Sequence, residues 1–373
     1  MMKLSFQKED LMNGINIVMK AVPSKTTMPI LECILIDAQT SEIKLTANDM
    51  ELGIETKVTG LVSEPGRIAL DARLLSEIVR KLPGDDSPIL LESDERFNTT
   101  IRCGNSIFHI QGRDGEEFSY LPFIEKDHYI CLSQFTLKEV IRQTIFSISP
   151  NDSNKMMTGE LFEVAGNELK VVSLDGHRIS IRKVQLKDHY EDRKVIVPGK
   201  TLNEISKILN GDNEKDVLVF FSKNHILFEF DDTLVVSRII EGEYFRISQM
   251  LSSDYDTRLT VNKRDFLDSI ERASILIRES DKKPLILNIT DHSMELKMNS
   301  SIGSMNAEVD IRKTGKDIMI GFNPKFLMDA LRIIDDEEVD LYMMNPKSPC
   351  FIKDEEETYI YLILPVNFNA ASV

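Results

Sequence analysis

The residues with the most chemical reach in this chain are Pro198-Gly-Lys-Thr201, Asp175-Gly-His-Arg178, six histidines and four cysteines. Pro198-Gly-Lys-Thr201 ends like a phosphate-binding loop, in which glycines let backbone N–H groups wrap a phosphate chain. The first glycine of such a loop belongs five residues before Gly199, and Lys194 stands there. A nucleotide site is therefore not expected. Asp175-Gly-His-Arg178 joins an acid, a base and a cation, but no nucleophile motif accompanies it. Its acid and glycine suit a structural or binding turn leaving a strand. His109, His128, His177, His189, His225 and His292 show no metal-ligand spacing. Cys33, Cys103, Cys131 and Cys350 stand far apart, which argues against zinc and against a disulfide framework. They read as small apolar core residues in a reducing cytoplasm. No catalytic constellation, cofactor or metal is expected.

What remains is charge. Arg73 and Arg80 are seven residues apart, as are Lys200 and Lys207, and Lys325 and Arg332. On a helix that spacing is nearly two turns, so each pair shares one face about 10 Å apart. For one pair a solvated polar face is the simpler reading. Three pairs at matching positions make a phosphate-contacting face its equal. Lys138 and Arg142 add basic charge to another predicted helix.

The elements that hold these pairs recur along the chain. Ile68–Leu82, Val195–Leu209 and Ile318–Arg332 each read as a strand, a break and an amphipathic helix, with offsets of 127 and 125 residues. Glu42–Leu45, Glu168–Val171 and Met294–Lys297 read as strands at about the same spacing. Each repeat opens with a helical stripe: Leu11, Ile15, Val18 and Met19; Val140, Ile141 and Ile145; Phe266, Leu267 and Ile270. In the second helices, Leu75, Ile78 and Val79, and Leu202, Ile205 and Ile208, supply the buried side. Thr99–Ile110 alternates like a hairpin. The reading is α+β: three two-helix plus antiparallel-sheet domains at 1–126, 127–253 and 254–373, with helices gathered on one face of the sheet.

Predicted helices are Gln7–Lys20, Asp71–Leu82, Thr136–Phe146, Lys200–Leu209, Lys263–Ala273 and Pro324–Ile334. They hold 14 of the 45 Lys and Arg but only 10 of the 61 Asp and Glu. The helices are thus net positive in a chain of formal charge −16. Net charge alone does not exclude a nucleic-acid partner when the cations are segregated. The 373 residues suit two or three domains, and the composition is that of a soluble globular protein. No signal peptide or membrane-spanning run is apparent, and the expected location is cytoplasmic.

Several motifs together resemble bacterial sliding clamps, the beta subunits of DNA polymerase III. They are Thr27-Met-Pro-Ile-Leu31, Leu45-Thr-Ala-Asn-Asp-Met-Glu51, Ser173-Leu-Asp-Gly-His-Arg178, Ser237-Arg-Ile-Ile-Glu-Gly242, Gly321-Phe-Asn323 and Leu364-Pro-Val366. The likeness spans essentially the whole chain. It implies a DNA clamp fold closed into a ring by a head-to-tail homodimer, with helices lining the hole. It implies a non-enzymatic processivity factor that encircles duplex DNA without sequence preference. Lys25, Arg73, Arg80, Lys138, Arg142, Lys200, Lys207, Lys325 and Arg332 would face DNA. Phe108, Ile275 and Leu276 would lie near the dimer seam.

The resemblance also implies a groove for peptides of the polymerase catalytic subunit, the clamp loader and other DNA-processing proteins. Its residues would be Met157, Gly176, His177, Arg178, Ile179, Asn323, Phe326, Ser348, Pro349, Leu362, Ile363, Leu364, Pro365 and Val366. A buried terminal strand is the plainer reading of Leu362 to Leu364. The chain departs from the family at Asn367, where arginine is common, and runs on through Phe368 to Val373. Tyr244-Phe-Arg-Ile247 replaces the usual Phe-Pro-Asp-Tyr, and the loop from Asn151 to Met156 lacks the aromatic residues some clamps place near DNA. A three-domain peptide-binding scaffold that never encircles DNA is the alternative.

Overall fold

The computed structural model describes residues 1–84, 87–150, 154–251, 254–277 and 283–368. Among them are six α-helices: α1 Lys8–Val18, α2 Ala72–Lys81, α3 Gln134–Thr144, α4 Gly199–Ile208, α5 Lys263–Ser274 and α6 Pro324–Leu331. They match the periodicity, with ends displaced by at most three residues. Side-chain caps start α2, α5 and α6. Asp71 Oδ1 accepts from Leu74 N at 2.7 Å before α2, Asn262 Oδ1 from Asp265 N at 3.1 Å before α5, and Asn323 Oδ1 from Lys325 N at 3.1 Å before α6. Each such cap contributes about 1 kcal/mol. Leu75, Ile78 and Val79 are buried as expected, and so are Leu202 and Ile205. Ile208 is only half-buried, and Leu209 takes its place in the core.

The strands form antiparallel sheets of five, nine and ten strands. The chain packs as two compact units. The first comprises Met1–Lys138 and Lys200–Ile239 and contains the five- and nine-stranded sheets. The second comprises Glu139–Gly199 and the chain from Ile240 onward, and contains the ten-stranded sheet. The middle repeat is therefore shared. Its strand Thr233–Arg238 pairs with Leu52–Val58 of the first repeat, and its strand Arg178–Pro198 pairs with Tyr359–Ile363 of the third. An unpaired strand edge leaves backbone groups open, and joining the neighbouring repeat's edge satisfies them. The expected boundary at 126/127 lies in the irregular stretch before Tyr129–Ser133. Residues 252 and 253, at the other expected boundary, lie outside the described residues.

Each unit has its own core. In the first, α1 rides so close to the strand Leu52–Val58 that a Cβ on Gly14 would come within 2.3 Å of Val58 Cγ2. In the second, Phe266 and Ile270 of α5 and Leu327 and Leu331 of α6 pack with Leu285, Leu287 and Ile320. Cys33, Cys103 and Cys350 are buried thiols, whereas Cys131 is half-buried.

Candidate functional site

Arg73, Arg80, Lys200, Lys207, Lys325 and Arg332 are all exposed, and the apolar stripes of their helices are buried. Their partners differ between repeats. Arg73 Nη2 donates to Ser24 O at 3.1 Å, tying α2 to the loop that carries exposed Lys25. No carboxylate among the described residues lies in salt-bridge range of Lys25, Arg73 or Arg80. In the other repeats acids sit beside the cations. Lys200 pairs with Asp49, Lys207 with Glu204 at 2.7 Å, Lys325 with Asp329 at 2.8 Å and Arg332 with Glu271 at 2.8 Å. Arg332–Glu271 is an exposed pair worth under about 1 kcal/mol, so a phosphate could exchange for its carboxylate at little cost, whereas Asp49 and Asp329 are largely buried. The seven-residue spacing of the cations did not show this pairing, although Glu204 and Asp329 stand three and four residues from their partners on the same helix; Asp49 and Glu271 come from other elements.

Lys138 and Arg142 have other attachments. Lys138 Nζ donates to Leu209 O at 3.0 Å, at the end of α4. Lys8 Nζ does the same for α2, through Leu82 O at 2.5 Å and Arg80 O at 3.2 Å, and Lys263 Nζ for α6, through Ile334 O at 2.6 Å. In the first two repeats a lysine of the first helix thus covers a carbonyl that the second helix leaves open at its negative end, and in the third it reaches the chain just beyond that end. Lys138 has no counterpart by spacing alone, because it sits one turn further along its helix than Lys8 and Lys263 do. Arg142 pairs with Glu139 at 2.6 Å and with Asp335 at 3.1 Å.

The predicted groove residues converge in the second unit around Arg178. The turn that carries it is fixed by Asp175, whose Oδ1 accepts from His177 N at 3.0 Å and Arg178 N at 3.2 Å, with Gly176 at φ +87°. That backbone angle favours glycine. Arg178 is 7% exposed. It donates to Asp175 Oδ2 at 3.0 Å, Asp329 Oδ2 at 2.7 Å and Phe146 O at 2.5 Å, and its guanidinium lies 4.5 Å from the Phe326 ring centre. His177 is exposed, its ring 6.0 Å from that of Phe326. Leu364 N donates to His177 O at 2.9 Å and Val366 N to Gly321 O at 2.8 Å, so the chain end is laced to this turn and to the strand before α6.

Not all fourteen side chains present surface. Ile179, Leu362 and Ile363 are buried, and Ile179 pairs with Leu362 across the sheet. They form a floor, as a terminal strand requires. Leu364 is 38% exposed, and Met157, Asn323, Phe326, Ser348, Pro349, Pro365 and Val366 are half-buried. The Asn323 side chain is already engaged in capping α6. Met157, Tyr244 and Phe245 pack against the cluster containing Leu174, Ile179, Ile247 and Leu362. The departing segment Tyr244–Ile247 is thus part of this surface. No periodic pattern marked it, since it is irregular connector. Residues 151–153 of the neighbouring loop, and 369–373 beyond Phe368, lie outside the described residues.

Beneath this surface Glu160 is fully buried. Its Oε2 accepts from Thr144 Oγ1 at 3.0 Å, while Oε1 has no partner. Burial pushes its carboxyl well above the usual range.

The residues placed at the seam lie at strand edges or beside them. Phe108 is on Ser106–Gln111, the outermost strand of the five-stranded sheet, and is 36% exposed. Ile275 is 76% exposed and follows α5, while half-buried Leu276 packs against the core of the second unit. Nearby, the half of Gly303–Gly315 before Asp310 pairs only with Ser293–Ser300 among the described strands.

Thr201 Oγ1 is buried at 2.6 Å from Ser237 Oγ, and a Cβ on Gly199 would lie 2.3 Å from Ile148 Cδ1, so that turn is packed rather than open to a phosphate. Among the described residues no group of three His, Cys, Asp or Glu could hold a metal, and no helix is long and apolar enough to cross a membrane.

Family models for the N-terminal, central and C-terminal domains of the DNA polymerase III beta subunit match residues 2–122, 131–245 and 248–367. The beta sliding clamp of Staphylococcus aureus is 35% identical, over 98% of this chain and 99% of its own length. A putative DNA polymerase III beta subunit from Eubacterium rectale superposes with a TM-score of 0.96 at 64% identity, over 99% of this chain and all of that one. The DNA polymerase sliding clamp of Bacillus subtilis gives 0.95 at 33% identity, with the same coverage.

Proposed function

The chain belongs to the DNA polymerase III beta subunit family, the sliding clamps, and from that membership we propose how its own residues serve a clamp. A sliding clamp is a processivity factor without a catalytic site. Two copies close head to tail into a ring, with the edge strand carrying Phe108 in one copy meeting the region of Ile275 and Leu276 in the other. Such a contact is heterologous, and two of them close the dimer. Each copy contributes three domains, at 1–126, 127–253 and 254–373. The helices line the hole, and Lys25, Arg73, Arg80, Lys200, Lys207, Lys325 and Arg332 meet phosphates of duplex DNA, giving affinity without sequence preference. Lys138 and Arg142 stand beside them. The observation that carries this reading is that all six cations of the second helices are exposed at matching positions.

The surface around Arg178 takes short extended peptides of the polymerase catalytic subunit, the clamp loader and other DNA-processing proteins. Exposed Leu364 and half-buried Met157, Phe326, Pro365 and Val366 offer apolar contact, and His177 a polar anchor. The work is done in the cytoplasm. The test is topological. The protein is loaded by a clamp loader onto a nicked circular plasmid and passed through a sizing column. Retention on the circle and loss after linearisation are expected. Equal retention on both would instead favour a scaffold that binds without encircling.

A further inference from the structure

The first unit contains a second version of the turn that organises the groove. Asp49-Met-Glu-Leu52 stands 126 residues before Asp175-Gly-His-Arg178. Asp49 Oδ1 accepts from Glu51 N at 3.0 Å and Leu52 N at 2.7 Å, the same two bonds that Asp175 makes. Met50 holds φ +75° where Gly176 holds +87°. Arg238 N donates to Glu51 O at 2.9 Å, as Leu364 N does to His177 O. Val236 pairs with Gly53 as Leu362 pairs with Ile179. The correspondence extends over the turn, the strand leaving it and the strand beside that one.

At this second turn lies a cavity of about 290 Å³, lined by Met50, Leu121, His225, Val236 and Arg238 among others. Gly53 has no side chain where the groove has Ile179. Leu121 covers it instead, its Cδ2 within 2.1 Å of where a Cβ would stand. The floor is therefore apolar in both places. The rim differs, because Arg238 occupies the position of Leu364. Arg238 is exposed and has no carboxylate in salt-bridge range among the described residues, in a chain with 61 acids to 45 bases. Glu51 lines the same cavity without pairing with it. Burial, and then the charge of Arg238, hold the His225 ring below its usual pKa, so it is neutral at pH 7. Arg238 is left as the cation of the site. An apolar recess beside an unpaired guanidinium complements an apolar side chain next to a carboxylate.

We propose that this cavity is a second docking site, for an extended peptide that sets an aliphatic or aromatic side chain against Leu121 and Val236 and a carboxylate on Arg238. The mode of binding rests on the reading of the groove around Arg178, but the site is separate from it. The test uses the full chain with 13C-labelled methionine methyl groups, titrated with the acetylated and amidated peptide Ser-Leu-Asp-Phe-Ser. The Met50 methyl reports on the second site and the Met157 methyl on the groove. A saturable Met50 shift is expected, weakened at least fivefold by Arg238→Ala or by asparagine in place of the peptide's aspartate. Glu51→Gln should tighten it. A Met157 shift with Met50 unmoved at saturation would overturn the second site and leave the groove standing. Movement of Met50 alone would support the site and count against the groove. A Met50 shift indifferent to Arg238→Ala would overturn recognition through the guanidinium.

Discussion

Arg178 concentrates more contacts than any other residue of the candidate groove, and those contacts face inward. Its guanidinium neutralises Asp175 and Asp329 and lies over Phe326. Removing it leaves Asp175 without its cation and Asp329 with Lys325 alone, a change that costs about 3 kcal/mol. Arg178→Ala is expected to lower the urea midpoint accordingly and to weaken peptide binding. Unchanged stability would show that the residue serves only the ligand. Glu160 gives a prediction of the opposite sign. Its folded pKa is raised, so the stability of its neutral form is full below the ordinary glutamate value and is lost as pH climbs toward the folded value. Glu160→Gln should raise the urea midpoint, more at pH 8 than at pH 5. An equal gain at both would mean that ionisation is not the cause.

At the scale of elements, the recurring lysine bridge from first helix to second explains why each first helix carries a cation in its first two turns. Lys8, Lys138 and Lys263 each meet backbone carbonyls at a helix end, where a cation is worth about 0.3–2 kcal/mol. Lys8→Met, Lys138→Met and Lys263→Met are each expected to destabilise by about 1 kcal/mol. For Lys138, DNA affinity should change less than it does on replacing Lys200. Chemical denaturation and salt titration of DNA binding would separate the two effects. A large loss of DNA affinity with no loss of stability would return Lys138 to the DNA-facing set as a direct contact.

For the whole molecule, the question is how a chain of charge −16 holds a polyanion. Its exposed second-helix cations recur three times, and four of the six are already paired with acids. Charge reversal at Arg73, Arg80, Lys200, Lys207, Lys325 and Arg332 should weaken DNA binding. The slope of log affinity against log salt should flatten by about 0.9 for each phosphate the protein no longer neutralises. Peptide binding around Arg178 should persist. An unaltered slope would place these residues on a face that DNA does not touch.

The sequence alone determined the three-fold repeat, the six helices and the six exposed cations, because apolar periodicity and charge spacing are local properties of a chain. It also located the Asp175–Arg178 turn, since an aspartate and a glycine encode that geometry by themselves. Only the tertiary structure decided how the middle repeat divides its strands between two sheets, because edge pairing depends on which backbone groups are left open. Tertiary structure alone assigned Lys138 to a helix end, put acids beside Lys200 and Arg332, and sank Leu362 and Ile363 into the floor. Each of these depends on how separate elements pack against one another, so no spacing along the sequence could carry it.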